Sequence, residues 1–350
     1  MKYLLGLVVI SLVLSIMIGL SIGKQKNTGN NSKSKDEKIV IGLSLDTLKE
    51  ARWQVDRDTM VAEAKKKGAD ILVQSANSDD TKQIQDVQAL ISRNIDILVI
   101  VPHNGKAMTK AVNMAKEAGI PVIAYDRLID DCDLDLYITF DNVKVGEMQA
   151  QYLVDKLGGK GKIVRLYGAP TDNNAKMFKA GQDKILDPYI KSGDIKVIHE
   201  DWVQNWDPAN AKKIMNAAIT KAGNDFDGVL ASNDGTAGGA IQALKEEGLA
   251  GKKLVTGQDS ELAATQRIVA GTQSMTIYKP LKALATRAID VAVDMISGKP
   301  VFVNSEVTNG KKDVPTIFME VHSVDKSNIK DTIIKDGLHS ESDIYGKTNP

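Results

Sequence analysis

The feature that most limits the fold is a series of short runs that are apolar almost throughout. They are KIVIGLSL from Lys38, DILVQSA from Asp70, DILVIVP from Asp96, PVIAYD from Pro121, KIVRLYG from Lys162, IKVIHEDW from Ile195, GVLASN from Gly228, KLVTGQD from Lys253 and SMTIYK from Ser274. A strand with one face in water alternates apolar and polar residues, so runs of this kind predict strands in a sheet covered on both faces. The intervening segments have helical period. Met108, Ala111, Val112 and Ala115 share one helical face, as do Ala237, Ala240, Ile241 and Leu244, which suits helices lying on a sheet. In NWDPAN, Asp207 is placed to cap a helix whose first turn holds Pro208, where a missing N–H costs nothing. The pattern predicts an α/β fold of mostly parallel strands.

The series runs twice, over residues 38–142 and 143–279, and the chain has 350 residues, more than one ordinary domain. Two doubly wound parallel-sheet lobes with a cleft between them are therefore expected. The predicted lobes are 38–142 plus about 280–304, and 143–279 plus about 305–345. Ligands of such sheets bind beyond the carboxyl ends of the strands. Asp126 ends PVIAYD and Arg127 follows it; Asn233, Asp259 and Lys279 end three later runs, and Trp53 follows the first strand.

Those residue types fit a sugar. A pyranose has two apolar C–H faces and a rim of hydroxyls, so it calls for flat aromatic surfaces and planar hydrogen-bonding groups around them. Trp53 and Trp206 lie in polar segments beside strand ends, one in each half, whereas Trp202 sits within an apolar strand run as a core residue would. For the rim, Asp126, Asp172 and Asp259 accept, Arg52, Arg127 and Lys279 donate, and Asn174 and Asn233 do both.

Composition removes other classes. With 45 Lys+Arg against 45 Asp+Glu there is no basic surplus to neutralise phosphates, so nucleic acid is not an expected partner. Cys132 is the only cysteine, and the four histidines lack zinc-type spacing, so neither a disulfide nor a metal is expected. The predicted cleft offers no nucleophile–base pair, so neither an enzyme nor a cofactor is expected. At the front, Tyr3–Gly23 is uncharged and apolar, long enough at about 1.5 Å per residue to cross a hydrocarbon layer of about 30 Å. Residues 1–23 are expected to be a membrane anchor or uncleaved signal, and 24–37, rich in Lys, Asn and Ser, a flexible linker. No helix-turn-helix fits there, which sets aside a sugar-responsive repressor.

Ordered motifs carry a resemblance over about 38–339: EARWQVDRD at 50–58, QSAN at 74–77, AYDR at 124–127, FDN at 140–142, DNNAKMF at 172–178, NW at 205–206, ASNDGTAGGAIQAL at 231–244, GQD at 257–259 and YKP at 278–280. The chain resembles the type I periplasmic sugar-binding family, and within it the branch that takes D-xylose. The resemblance implies two lobes joined by a three-stranded hinge with the sugar enclosed between them. It implies contacts from Arg52, Trp53, Asp126 and Arg127 of one lobe, and from Asp172, Asn174, Trp206, Asn233 and Asp259 of the other, with Lys279 near the hinge. An extracytoplasmic receptor held to the membrane by its first helix is expected. Because a tethered receptor can hold a surface against a membrane neighbour, the expected role is a sensor presenting its bound form to a signalling partner such as a histidine kinase. The alternative is the substrate-binding subunit of an ABC xylose importer.

Overall fold

A computed structural model describes residues 38–346. The apolar segment 1–23 and the expected linker, 24–37, lie outside the described residues, and among those described no helix is long and apolar enough to cross a membrane.

The first sheet holds β1 (Val40–Leu45), β2 (Asp70–Ser75), β3 (Ile97–Ile100), β4 (Val122–Tyr125) and β5 (Leu136–Phe140), parallel and in the order β2-β1-β3-β4-β5. Every residue of β3, β4 and β5 is buried, as strands covered on both faces must be. Alternate side chains serve two cores. Ile97 and Val99 pack with Met60 of helix Ala51–Lys66 and Leu284 of helix Leu281–Ile296. Leu98 and Ile100 pack on the opposite face with Val87 of helix Asp80–Ser92 and Val112 of helix Thr109–Glu117.

The second sheet repeats the plan with β6 (Gly161–Tyr167), β7 (Ile195–Trp202), β8 (Gly228–Ala231) and β9 (Leu254–Val255), parallel in the order β7-β6-β8-β9. Hydrogen bonds from Ser274 N to Val255 O (2.8 Å) and from Ile277 N to Gly257 O (3.1 Å) carry it on to β10 (Thr276–Tyr278). The second, first, third, fourth and fifth strands of each half thus stand side by side in the same order. Helix Pro208–Ala222 starts as its sequence predicts, with Asp207 accepting from Ala209 N at 2.8 Å. Its start is pressed against Gly239 of helix Asp234–Glu246, where a Cβ would lie 2.1 Å from Pro208 O, so GTAGG has a packing function.

One boundary differs from the expected division. Residues from about 305 were assigned to the second lobe, yet β11 (Ser305–Thr308) and β12 (Asp313–Met319) extend the first sheet, β12 running parallel to β5. Val314 and Ile317 fill the two cores of that lobe, and Asn309 Nδ2 ties the intervening turn to Ile129 O (3.1 Å) and Cys132 O (2.8 Å). Only with β13 (His322–Val324), antiparallel to β10, does the chain return to the second lobe. It therefore crosses between the lobes three times: after β5, after β10 and after β12. These crossings are the three strands of the expected hinge.

Candidate functional site

The carboxyl ends of both sheets face one cleft. All the residues predicted from sequence line it: Arg52, Trp53, Asp126, Arg127, Asp172, Asn174, Trp206, Asn233, Asp259 and Lys279. Local structure explains their placement. Asp172 accepts from Asn174 N (2.8 Å) and Asn233 from Thr236 N (2.8 Å), so each caps the helix that leaves its strand. The short polar side chains that a helix start favours are thereby delivered to the cleft.

Asp126 and Asp259 hold matching positions in the two halves. Asp126 N donates to Ile138 O (2.8 Å) and Asp259 N to Ile277 O (2.9 Å), and both residues have left-handed backbones, at φ 63° and 91°. A non-glycine residue there carries strain of about 1–3 kcal/mol, which persists only where the surroundings fix it. Asn205 and Trp206 share this conformation, at φ 54° and 55°.

The two indoles come from opposite lobes. Trp53, in helix Ala51–Lys66, has the Arg52 guanidinium carbon 4.1 Å from its ring centre and that of Arg127 at 5.1 Å. Trp206 stands edge-on to Phe178 (6.3 Å between centres) and donates from Nε1 to Asp172 Oδ2 at 3.0 Å. Gly168 makes room for it, since a Cβ there would lie 1.9 Å from the Trp206 Cη2. Gly168→Ala should therefore displace the indole and cost about 1–3 kcal/mol of stability. Urea unfolding followed by tryptophan fluorescence will measure both effects; an unchanged emission spectrum would mean that the ring has room to spare. Trp202, the tryptophan read as a core residue, packs 5.0 Å from Tyr167 and does not line the cleft.

Buried ions run through the floor and cross between lobes. Arg52 pairs with Asp126 (2.7 Å), Asp56 (3.3 Å) and, across the cleft, Asp259 (3.3 Å). Arg127 pairs with Asp46 (2.7 Å) and, across the cleft, Asp172 (2.8 Å). Lys279, only 1% exposed and lying where the chain crosses after β10, reaches Asp259 at 3.4 Å. Burial alone would raise the Asp126 pKa, but Arg52, Lys279 and Arg127 outweigh it and hold the carboxyl below its ordinary value. Asp172 is lifted by burial, which Arg127 and the Asn174 N–H only partly offset. Asn174 Nδ2 bridges the lobes at 3.0 Å from both the backbone oxygen and Oδ1 of Asp126.

Three lining residues escaped the sequence reading: Glu50, Phe178 and Gln258. Phe178 lies one helical turn beyond Asn174, and Gln258 directly precedes Asp259, so helical spacing and strand-end position were the signals available. Glu50 stands two residues before Arg52 at the start of the helix, without capping it. Among the described residues no group of His, Cys, Asp and Glu could hold a metal ion.

A family model described as a periplasmic binding protein domain matches residues 41–300. The chain is 48% identical over 314 residues to the D-xylose-binding periplasmic protein of Escherichia coli strain K12, covering 90% of this chain and 95% of that one. It is 49% identical over 316 residues to the D-xylose-binding periplasmic protein of Haemophilus influenzae, covering 90% and 94%. Among solved structures, the carbohydrate transporter solute-binding protein of Chloroflexus aurantiacus in complex with D-glucose aligns with a TM-score of 0.82 at 34% identity, covering 88% of this chain and 98% of that one.

Proposed function

The chain belongs to the periplasmic binding protein family, and from that premise we propose that it is an extracytoplasmic receptor that closes on one molecule of D-xylose and catalyses nothing. The observation that carries this reading is the cleft itself, where an indole and ionised hydrogen-bonding groups from each lobe converge. The indoles offer flat surfaces to the C–H faces of a pyranose. The carboxylates, guanidinia, amides and Lys279 serve its hydroxyl rim. Hydrogen bonds to charged groups contribute about 1.5–3 kcal/mol net each, so a few supply the ~8 kcal/mol that micromolar affinity requires. The names of the two relatives at 48% and 49% identity support xylose as the sugar. Calorimetric titration with xylose, ribose, arabinose and glucose should give tightest binding to xylose; heats absent for all four would refute the reading.

The sugar bridges the lobes and so stabilises their closed arrangement, with the three crossings as the hinge. Of the two roles open from sequence, delivery to an ABC importer now has the better support, because the similar solved structures include ABC transporter solute-binding proteins. The sensor role rests on the apolar segment Tyr3–Gly23, outside the described residues, and on a likeness to the fructose-binding domain of a hybrid two-component system at 25% identity. Purification from membranes with xylose present should recover permease subunits. Recovery of a histidine kinase without them would reverse this choice.

A further inference from the structure

At one rim of the cleft the lobes touch through groups that do not line it. Asn173, 8% exposed and the first residue of helix Asn173–Ser192 in the second lobe, donates from Nδ2 to Leu128 O (3.1 Å) and Asp130 Oδ1 (2.8 Å) of the first. Beside it, Gly105 N donates to Thr171 O at 3.1 Å. The first-lobe half of this contact is braced from within, by Asp130 N to Gly105 O (3.0 Å) and Thr109 Oγ1 to Asp130 O (2.7 Å). The approach is close enough that a Cβ on Gly105 would lie 2.5 Å from Asn173 Nδ2. None of these residues is among those facing the cleft.

We propose that Asn173, with Gly105, Leu128, Asp130 and Thr171, forms a latch that holds the lobes closed without touching the sugar, and so sets how tightly and how long any sugar is held. Its contacts exist only when the lobes meet. The apparent dissociation constant scales inversely with the fraction of receptor that is closed. A latch therefore multiplies the affinity for every ligand by the same factor, whereas a residue touching the sugar changes the ratio between ligands. In naming a sugar as the ligand this inference rests on the function proposed above; the closing contact itself does not.

Asn173→Asp separates the latch from folding. The side chain keeps its size, and a carboxylate in the first turn of a helix favours the helix, so the unfolding temperature of the protein without sugar should hold or rise. The same carboxylate loses the donor and confronts Asp130 Oδ1 and Leu128 O. Xylose and glucose should both bind about tenfold more weakly, their ratio unchanged, with faster xylose release in stopped-flow fluorescence. Unchanged affinity, or an altered xylose-to-glucose ratio, would overturn the latch. Cysteines introduced at exposed Ala62 and Lys213 can be spin-labelled, since Cys132 is buried. The distance between them, read with and without Asn173→Asp, should lengthen in the variant, and an unchanged distribution would also overturn the proposal. If the unaltered protein binds no sugar, the functional reading fails and this distance alone decides the latch.

Discussion

Replacing Arg52 with methionine is expected to cost about 3–5 kcal/mol of folding stability at pH 7, the penalty for removing one partner of a buried ion pair. Arg52 is 5% exposed and holds Asp126, Asp56 and Asp259 within 3.3 Å or less. Methionine replaces much of its stem but none of its charge, leaving those carboxylates turned on one another. Even with Arg52 present, burial lifts the Asp56 pKa from 3.8 to about 6. Without Arg52 it must rise further. An acid whose pKa is higher folded than unfolded keeps a proton that the unfolded chain has released, so stability falls as pH rises above the unfolded value. The deficit of the variant should thus be smaller at pH 5 than at pH 7. Urea unfolding at the two pH values tests this, and equal deficits would mean that the carboxylates find other partners.

Replacing Trp206 with alanine should weaken xylose binding at least tenfold, about 1.4 kcal/mol. Truncation removes one of the two flat surfaces and takes the Nε1 donor from Asp172, whose pKa burial already lifts from its ordinary value. The ring also fills the space over Gly168 and beside Phe178, so the second lobe will lose stability as well. Titration should therefore be run well below the variant's own unfolding temperature. An isotherm matching the unaltered protein would remove the indole from the site.

Much of this was readable from sequence because strand ends are punctuated by the same residues that line the cleft. Asp126, Asn233, Asp259 and Lys279 each close or follow an apolar run, and the doubly wound order then gathers them at one edge. The capping of helix Pro208–Ala222 by Asp207 was equally local. What sequence did not yield depended on long-range pairing. Residues from about 305 were expected in the second lobe, yet the apolar residues of β11 and β12 complete the first; nothing within residues 305–319 names the strand they pair with. Glu50 was missed because its place in the cleft follows from how a whole helix is seated. The second layer, in which Asp46 and Asp56 hold Arg127 and Arg52, becomes visible only when the helix and both sheets are in place.

The left-handed backbones at Asp126, Asp259, Asn205 and Trp206 set a limit on improving this protein. Glycine would relax the main chain at each, but at Asp126, Asp259 and Trp206 it would also strand a buried cation or empty the space the indole fills, which costs as much as the strain or more. Of the four only Asn205 is exposed, so a laboratory search for heat tolerance alone would be drawn to it. A gain there would loosen the turn that aims Trp206, and breeding such a receptor for robustness therefore requires keeping the ligand in the screen.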